Sequence, residues 1–215
     1  MTEINRELID SFQFQGEFME GIPYGSGHIN DTFRLTFREG ERTRRYILQK
    51  MNKSIFLKPV ELMENVVGVT SWLRKKIKEN GGNPERETLN IVMSKDGHAF
   101  HVDREGEYWR AYLFIEGATT YDLVKNKEDF YQSAVAFGHF QGLLADYPAH
   151  TLHETIENFH NTADRLEKFK KAVHDDAMGR AAQVQEEIQF VLDREELAHV
   201  LCDMQEKKEL PLRVT

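Results

Sequence analysis

The chain has 215 residues, 40% hydrophobic and 30% charged, with five prolines and no low-complexity run, a composition that excludes the disordered and fibrous classes. Its formal net charge of -8 speaks against broad binding to nucleic acid and leaves room for no more than a local basic pocket. One cysteine, Cys202, rules out an internal disulfide, and with neither an apolar run near 18 residues nor a signal-peptide pattern at the start, a cytoplasmic protein is expected.

In residues 3–12, Ile4, Leu8 and Ile9 recur at helical spacing behind Thr2 as a cap, which predicts a short amphipathic helix lying as a flap on the main body. From 12 to 52 the pattern is that of strands. Phe12, Phe14 and Phe18 alternate with polar residues, Thr32-Phe33-Arg34-Leu35-Thr36-Phe37 alternates strictly, and Tyr46-Ile47-Leu48-Gln49-Lys50 follows the turn-like Arg38-Glu39-Gly40-Glu41, together predicting a three-stranded antiparallel meander. Pro59 opens a helix in which Leu62, Val66, Val69 and Leu73 recur up to Lys78, and Gly81-Gly82-Asn83-Pro84 stops it. Three further strands fit 89–93, 99–102 and 108–115, separated by turns at Lys95-Asp96-Gly97 and Glu105-Gly106.

After Gly117 the strand signals vanish. Helix faces are marked by Phe130, Ala134, Phe137 and Leu144, by Leu166, Phe169 and Val173, and by Ala181, Val184, Ile188 and Val191. Cys202 falls in the apolar-periodic stretch 197–204 and reads as core or helix surface rather than as a nucleophile. The expected class is α+β, in order β-β-β-α-β-β-β and then helical, with lobes at 1–116 and 117–215 joined without a linker.

The stretch Gly25-Ser26-Gly27-His28-Ile29-Asn30-Asp31-Thr32-Phe33 carries the most chemistry, because its glycines let backbone N–H groups approach a phosphate with no Cβ in the way. A plain Gly-Ser-Gly hairpin turn is the competing reading. A dinucleotide-binding loop must open a helix and a P-loop needs Gly-Lys-Ser/Thr; here an alternating strand follows. A glycine turn between antiparallel strands, with a lysine on the third strand, is the kinase arrangement.

Lys50 lies on that third strand, and alternation puts Leu48 on its face, an aliphatic for adenine beside an ammonium for phosphate. A shift of one residue would present Gln49 instead. Glu61 and Glu64 on the next helix are candidates to hold the lysine, with Glu64 favoured. The end of the aromatic strand, Leu113-Phe114-Ile115, is placed to hold a flat heterocycle through its backbone, or is simply core.

With these pieces in order the sequence resembles the aminoglycoside phosphotransferase-like small-molecule kinases of the protein-kinase-like fold, and most closely the N-acetylhexosamine 1-kinases. The resemblance is carried by the glycine stretch, by Tyr46-Ile47-Leu48-Gln49-Lys50-Met51-Asn52, by Trp109-Arg110 with Phe114-Ile115, and by Thr155-Ile156-Glu157-Asn158-Phe159-His160-Asn161-Thr162 with Arg165. It implies a two-lobe fold, with an antiparallel-sheet N-lobe carrying one main helix and a partial, helical C-lobe. It also implies transfer of the ATP γ-phosphoryl group, with Mg2+, to the anomeric hydroxyl of N-acetylglucosamine or N-acetylgalactosamine.

On that reading ATP is held by Gly25, Ser26, Gly27, His28, Ile29, Asn30, Leu48, Lys50, Glu64, Leu113, Phe114 and Ile115, and the sugar by Phe159, His160, Asn161 and Arg165. Asn161 or Asn158 as a helix cap is the competing role in the second group. His150, His153 and His160 lack a tight ligand frame, so no metal site is expected from them.

The family continues past a strand like Leu210-Pro211-Leu212-Arg213-Val214 into a His-Asn-Asp segment with the catalytic and magnesium-binding residues, and none of these is in the chain. Asp146 lacks the pattern altogether, and Asp175 and Asp176 follow His174 without the asparagine of the His-Asn-Asp segment or the one after it, so the expectation is a chain that stops before its catalytic loop. Another hydroxyl acceptor (homoserine, choline or an aminoglycoside) and a noncatalytic nucleotide-binding or interaction fragment are the alternatives.

Overall fold

The computed structural model describes residues 4–121 and 123–214. The described residues form an α+β structure with a six-stranded antiparallel sheet and seven α-helices. In chain order these are α1 (Arg6–Asp10), β1 (Glu17–Pro23), β2 (Asp31–Glu39), β3 (Arg42–Lys50), α2 (Pro59–Glu79), α3 (Pro84–Glu87), β4 (Ile91–Val92), β5 (His101–Val102) and β6 (Tyr108–Leu113). The helical remainder is α4 (Lys127–Leu143), α5 (Thr162–Asp175), α6 (Gln185–Leu192) and α7 (Glu195–Glu206).

The sheet runs β1-β2-β3-β6-β4, with β5 paired to β6. The expected meander is present. Gly40 at φ +63° turns the β2–β3 connection, so Glu39 pairs with Arg42 and the ladder runs unbroken to Asp31 opposite Lys50. β1 begins later than its phenylalanines suggested, since Phe12 makes only an isolated bridge to Ser94.

One sheet face presents Phe33, Leu35, Phe37, Tyr46, Leu48, Trp109 and Ala111 to Leu8, Ile9 and Phe12, and all are buried. Leu35 and Leu48 are fully enclosed, each contributing about 1.5–3 kcal/mol of apolar burial. The first helix is therefore part of the core rather than a flap. Asn5 caps it by accepting from the Leu8 amide at 2.8 Å; the expected cap, Thr2, lies outside the described residues.

α2 matches its expected extent, with Pro59 in its first turn. Its Leu73 and Ile77 pack with Leu144, and Trp72, Phe140 and Tyr147 close around them. Trp72 Nε1 donates to the Leu143 carbonyl at 3.2 Å, Lys76 pairs with Asp146 at 2.6 Å, and Asn65 exchanges two hydrogen bonds with the His153 backbone at 2.8 and 2.9 Å. These ties bind the chain up to 155 to α2.

The chain accordingly divides by contacts into Met1–Thr155 with Arg213–Thr215, and Ile156–Leu212. The change from strand to helix falls earlier, after β6. In the second unit Leu166 of α5 and Ile188 of α6 are buried, and Lys170 of α5 pairs with Glu195 of α7 at 2.5 Å.

Candidate functional site

Strand alternation sorts the sheet side chains into two faces. Register places Phe33, Leu48 and Ala111 in one cross-strand row and Asp31, Lys50 and Trp109 in the next, both on the core face. The rows Thr32–Gln49–Arg110 and Arg34–Ile47–Tyr112 belong to the opposite face.

This separates residues that the sequence had grouped. Leu48 is 0% exposed, sealed among the core side chains, and has no surface left for a ligand. The Lys50 ammonium lies 3.6 Å from Glu107, which also pairs with Lys53 at 3.0 Å. It borders a cavity of about 630 Å³ whose lining includes Asn5, Glu7, Asp103 and Arg104. Burial pushes the Asp103 carboxyl up, but hydrogen bonds from the Trp109 indole and the Glu107 and Glu105 amides, with the Lys50 charge, hold it below the usual range. Glu64 pairs with His153 Nε2 at 2.6 Å, so Lys50 and Glu64 each have another partner.

The glycine loop joins β1 to β2. Gly25 has φ +87°, a conformation that L side chains rarely adopt, and a Cβ added at Gly25 or Gly27 would meet nothing within 4 Å. No protein atom therefore stands where a side chain would grow from either glycine. His28 and Ile29 are exposed, and Ser26 lies between the two open glycines. At its exit the loop is fastened to the end of β3, because Asn30 Oδ1 accepts from the Asn52 amide at 3.0 Å.

At its entrance, Tyr24 donates its amide to the Thr32 carbonyl at 2.9 Å. The Tyr24 ring meets Phe114 edge-on, with centroids 5.5 Å apart. The Arg34 guanidinium lies 5.8 Å from the Tyr24 ring and the Arg45 guanidinium 5.0 Å from the Phe114 ring.

Past β6 the chain is held by the Phe114 amide, which donates to the Arg45 carbonyl at 3.0 Å. Arg45 forms a two-pronged ion pair with Glu116, and Arg86 donates to the Glu116 carbonyl. The Glu116 carboxylate holds the Arg45 guanidinium above its ordinary pKa. A cavity of about 410 Å³ is lined there by Arg42, Arg44, Arg45 and Arg86 together with Leu113, Phe114, Ile115 and Glu116. The glycine loop and the segment after β6 therefore meet through Tyr24 and Phe114.

Between them runs a hydrogen-bonded polar row. Gln49 Nε2 donates to Thr32 Oγ1 at 2.9 Å, and Arg110 Nε donates to Gln49 Oε1 at 3.0 Å. Burial pulls the Arg110 pKa down and pushes the Tyr112 phenol up. In the sequence Arg110 stands out only as part of the Trp109-Arg110 pair. The signal was an arginine at alternating register with Gln49 inside an aromatic-rich strand.

The second group lies in the second unit and is locally satisfied. Asn161 caps α5 by accepting from the Asp164 amide at 3.0 Å. Arg165 donates from Nε and Nη2 to the Phe159 carbonyl at 2.9 and 2.5 Å, with its guanidinium 5.2 Å from the Phe159 ring. The His160 ring stands edge-on to Phe159, centroids 4.8 Å apart. The cluster leaves Phe159 exposed. Cys202, on α7, donates from Sγ to Asn161 Oδ1 at 3.6 Å; hydrogen bonding from the Ala163 amide and the Thr162 hydroxyl draws its pKa down.

Among the described residues no three His, Cys, Asp or Glu side chains converge as a metal site, and no helix is long and apolar enough to cross a membrane. Compared with models of known protein families, the chain matches none.

Proposed function

We propose that this chain carries the ATP-binding part of a protein-kinase-like small-molecule kinase, with an N-acetylhexosamine as the acceptor. The observation that carries the reading is the Tyr24–Phe114 contact, which joins an open glycine loop to the strand-end segment suited to a flat heterocycle. The order of elements supports it, since a glycine turn links the first two strands and the last strand leads into the helical part.

The glycine-loop amides take phosphate oxygens, the segment Leu113, Phe114 and Ile115 takes adenine, with the Leu113 and Phe114 amides already bonded to the Asn90 and Arg45 carbonyls, and the exposed Phe159 ring with His160 offers a sugar an apolar face and a polar edge. In the transfer, the anomeric oxygen forms a bond to the γ-phosphorus, the bond from that phosphorus to the bridging oxygen breaks, and ADP leaves with the electron pair. The hydroxyl proton passes to a base. No aspartate of the chain has the His-Asn-Asp setting, so no side chain is assigned that role, and no magnesium ligand is assigned either.

Thermal unfolding with ligand tests the reading. ATP with Mg2+ raises Tm, with stabilisation of about 2.7 kcal/mol expected at a hundred times Kd. N-acetylglucosamine or N-acetylgalactosamine adds a further rise in the presence of a non-hydrolysable ATP analogue. No shift with ATP removes the nucleotide reading, and a further rise with homoserine, choline or an aminoglycoside in place of the sugar reassigns the acceptor.

A further inference from the structure

The Arg110 side chain is partly buried, and among the described residues it has no carboxylate partner. Its side-chain hydrogen bond runs from Nε to the neutral Gln49 amide at 3.0 Å, which leaves the terminal N–H groups without a protein acceptor among those residues. A charge partly screened from water is stabilised by an anion brought to it.

A second cation shares the face. Arg34 stands one cross-strand row away, and its Nε is buried with no hydrogen-bond partner among the described residues. With strands about 4.8 Å apart and residues about 3.4 Å apart along them, the two anchor points are on the order of 12 Å apart, a gap that two arginine side chains close on a single group.

The strand between them brings one charge to this face, Arg45, and that charge is already paired with Glu116. β3 offers Ile47 and Gln49 here, while Lys50 points to the core side and its ammonium rests beside Glu107. Any phosphate lying under the glycine loop on this side meets its fixed positive charge from β2 and β6.

We infer that Arg110, positioned by Gln49 and flanked by Arg34, is the phosphate-binding cation of the glycine-loop face, holding the nucleotide's polyphosphate where a third-strand lysine would otherwise do so. The inference rests on the nucleotide reading above. A guanidinium suits the task because its terminal N–H groups grip two phosphate oxygens at once. Gln49 acts as a positioning residue: its carbonyl fixes the Nε edge and turns the terminal edge outward.

Isothermal titration of the whole chain with ATP, adenosine and inorganic tripolyphosphate tests this, using the wild type, Arg110→Gln, Arg110→Lys and Lys50→Gln, with urea melts to verify folding. Arg110→Gln is expected to weaken ATP and tripolyphosphate by about tenfold or more and to leave adenosine within about twofold. Arg110→Lys falls in between, and Lys50→Gln stays within about twofold throughout. Should Arg110→Gln not fold, a loss of about threefold or more for ATP in Arg110→Lys carries the same conclusion.

ATP affinity untouched by both Arg110 variants, or a tenfold loss appearing in Lys50→Gln instead, overturns the assignment. Arg110-dependent binding of tripolyphosphate without binding of ATP or adenosine upholds the anion site and removes the nucleotide reading. Equal binding of ATP and adenosine with none of tripolyphosphate removes the anion site and leaves the nucleotide reading standing.

Discussion

Gln49 and Lys50 are consecutive in β3, yet Gln49 hydrogen-bonds to Thr32 and Arg110 on one face of the sheet while Lys50 stands beside Glu107 on the other. Lys50 is 26% exposed and flanked by carboxylates. Lys50→Met is expected to destabilise the fold by about 0.5–1.5 kcal/mol, read as a lower urea midpoint at unchanged m-value. Loss of nucleotide binding by this variant at unchanged stability would return the lysine to the site.

The two loop glycines separate a conformational role from an access role. Gly25→Ala forces a left-handed φ on a residue with a Cβ and is expected to cost about 1–2 kcal/mol. Gly27 has neither a positive φ nor a neighbour near its Cβ position, so Gly27→Ala leaves stability within about 0.5 kcal/mol. Both variants weaken ATP binding if the loop amides hold phosphate, and urea melts paired with titrations separate the two effects.

Asp103 links the Lys50 side of the sheet to pH. Its folded pKa is lowered, so the stability it contributes is present above the unfolded carboxylate value, about 3.9, and is lost as pH falls through the folded value. Melts between pH 6 and pH 2, on the order of one unit apart, are expected to show Asp103→Asn less stable than the wild type at the upper end, with the gap closing in acid. A gap that persists unchanged to the acid end contradicts the carboxylate's role.

The α4 helix has no buried residue, and Phe130, Tyr131, Val135 and Phe137 are all exposed. An apolar surface of this kind drives association. Light scattering after size exclusion is expected to show mass rising with concentration, and Phe130→Ser with Phe137→Ser is expected to suppress the rise. A concentration-independent monomer in the wild type contradicts this.

Local pattern made much of the sheet readable. The strict alternation of 32–37 and the turn at Gly40 gave the meander, and Pro59 with the Leu62–Val66–Val69–Leu73 spacing gave α2. The three later strands were placed correctly but drawn too long, since only Ile91–Val92, His101–Val102 and Tyr108–Leu113 find ladder partners. α3 was missed because Asn83-Pro84 ends one helix while also capping the next, Asn83 Oδ1 accepting from the Glu85 amide at 3.0 Å.

The site was half legible. Alternation correctly joined Leu48 to Lys50, but the face they share is fixed by the hairpin register, which sets Leu48 opposite Phe33 and Lys50 opposite Asp31. A slip of one residue inverts a strand, and the apolar β2 residues Phe33, Leu35 and Phe37 were the clue to the buried side. The partners of Glu64 and Arg110 depend on tertiary contacts that no local pattern encodes.

Hydrogen exchange by mass spectrometry, with and without ATP and Mg2+, tests the central claim most directly. Protection is expected in peptides covering residues 24–30 and 113–116, with peptides covering α1 and residues 101–105 unchanged. Protection confined to α1 and residues 101–105, beside Lys50, or no protection of the glycine loop at saturating ATP, would contradict a nucleotide on the Gln49 face.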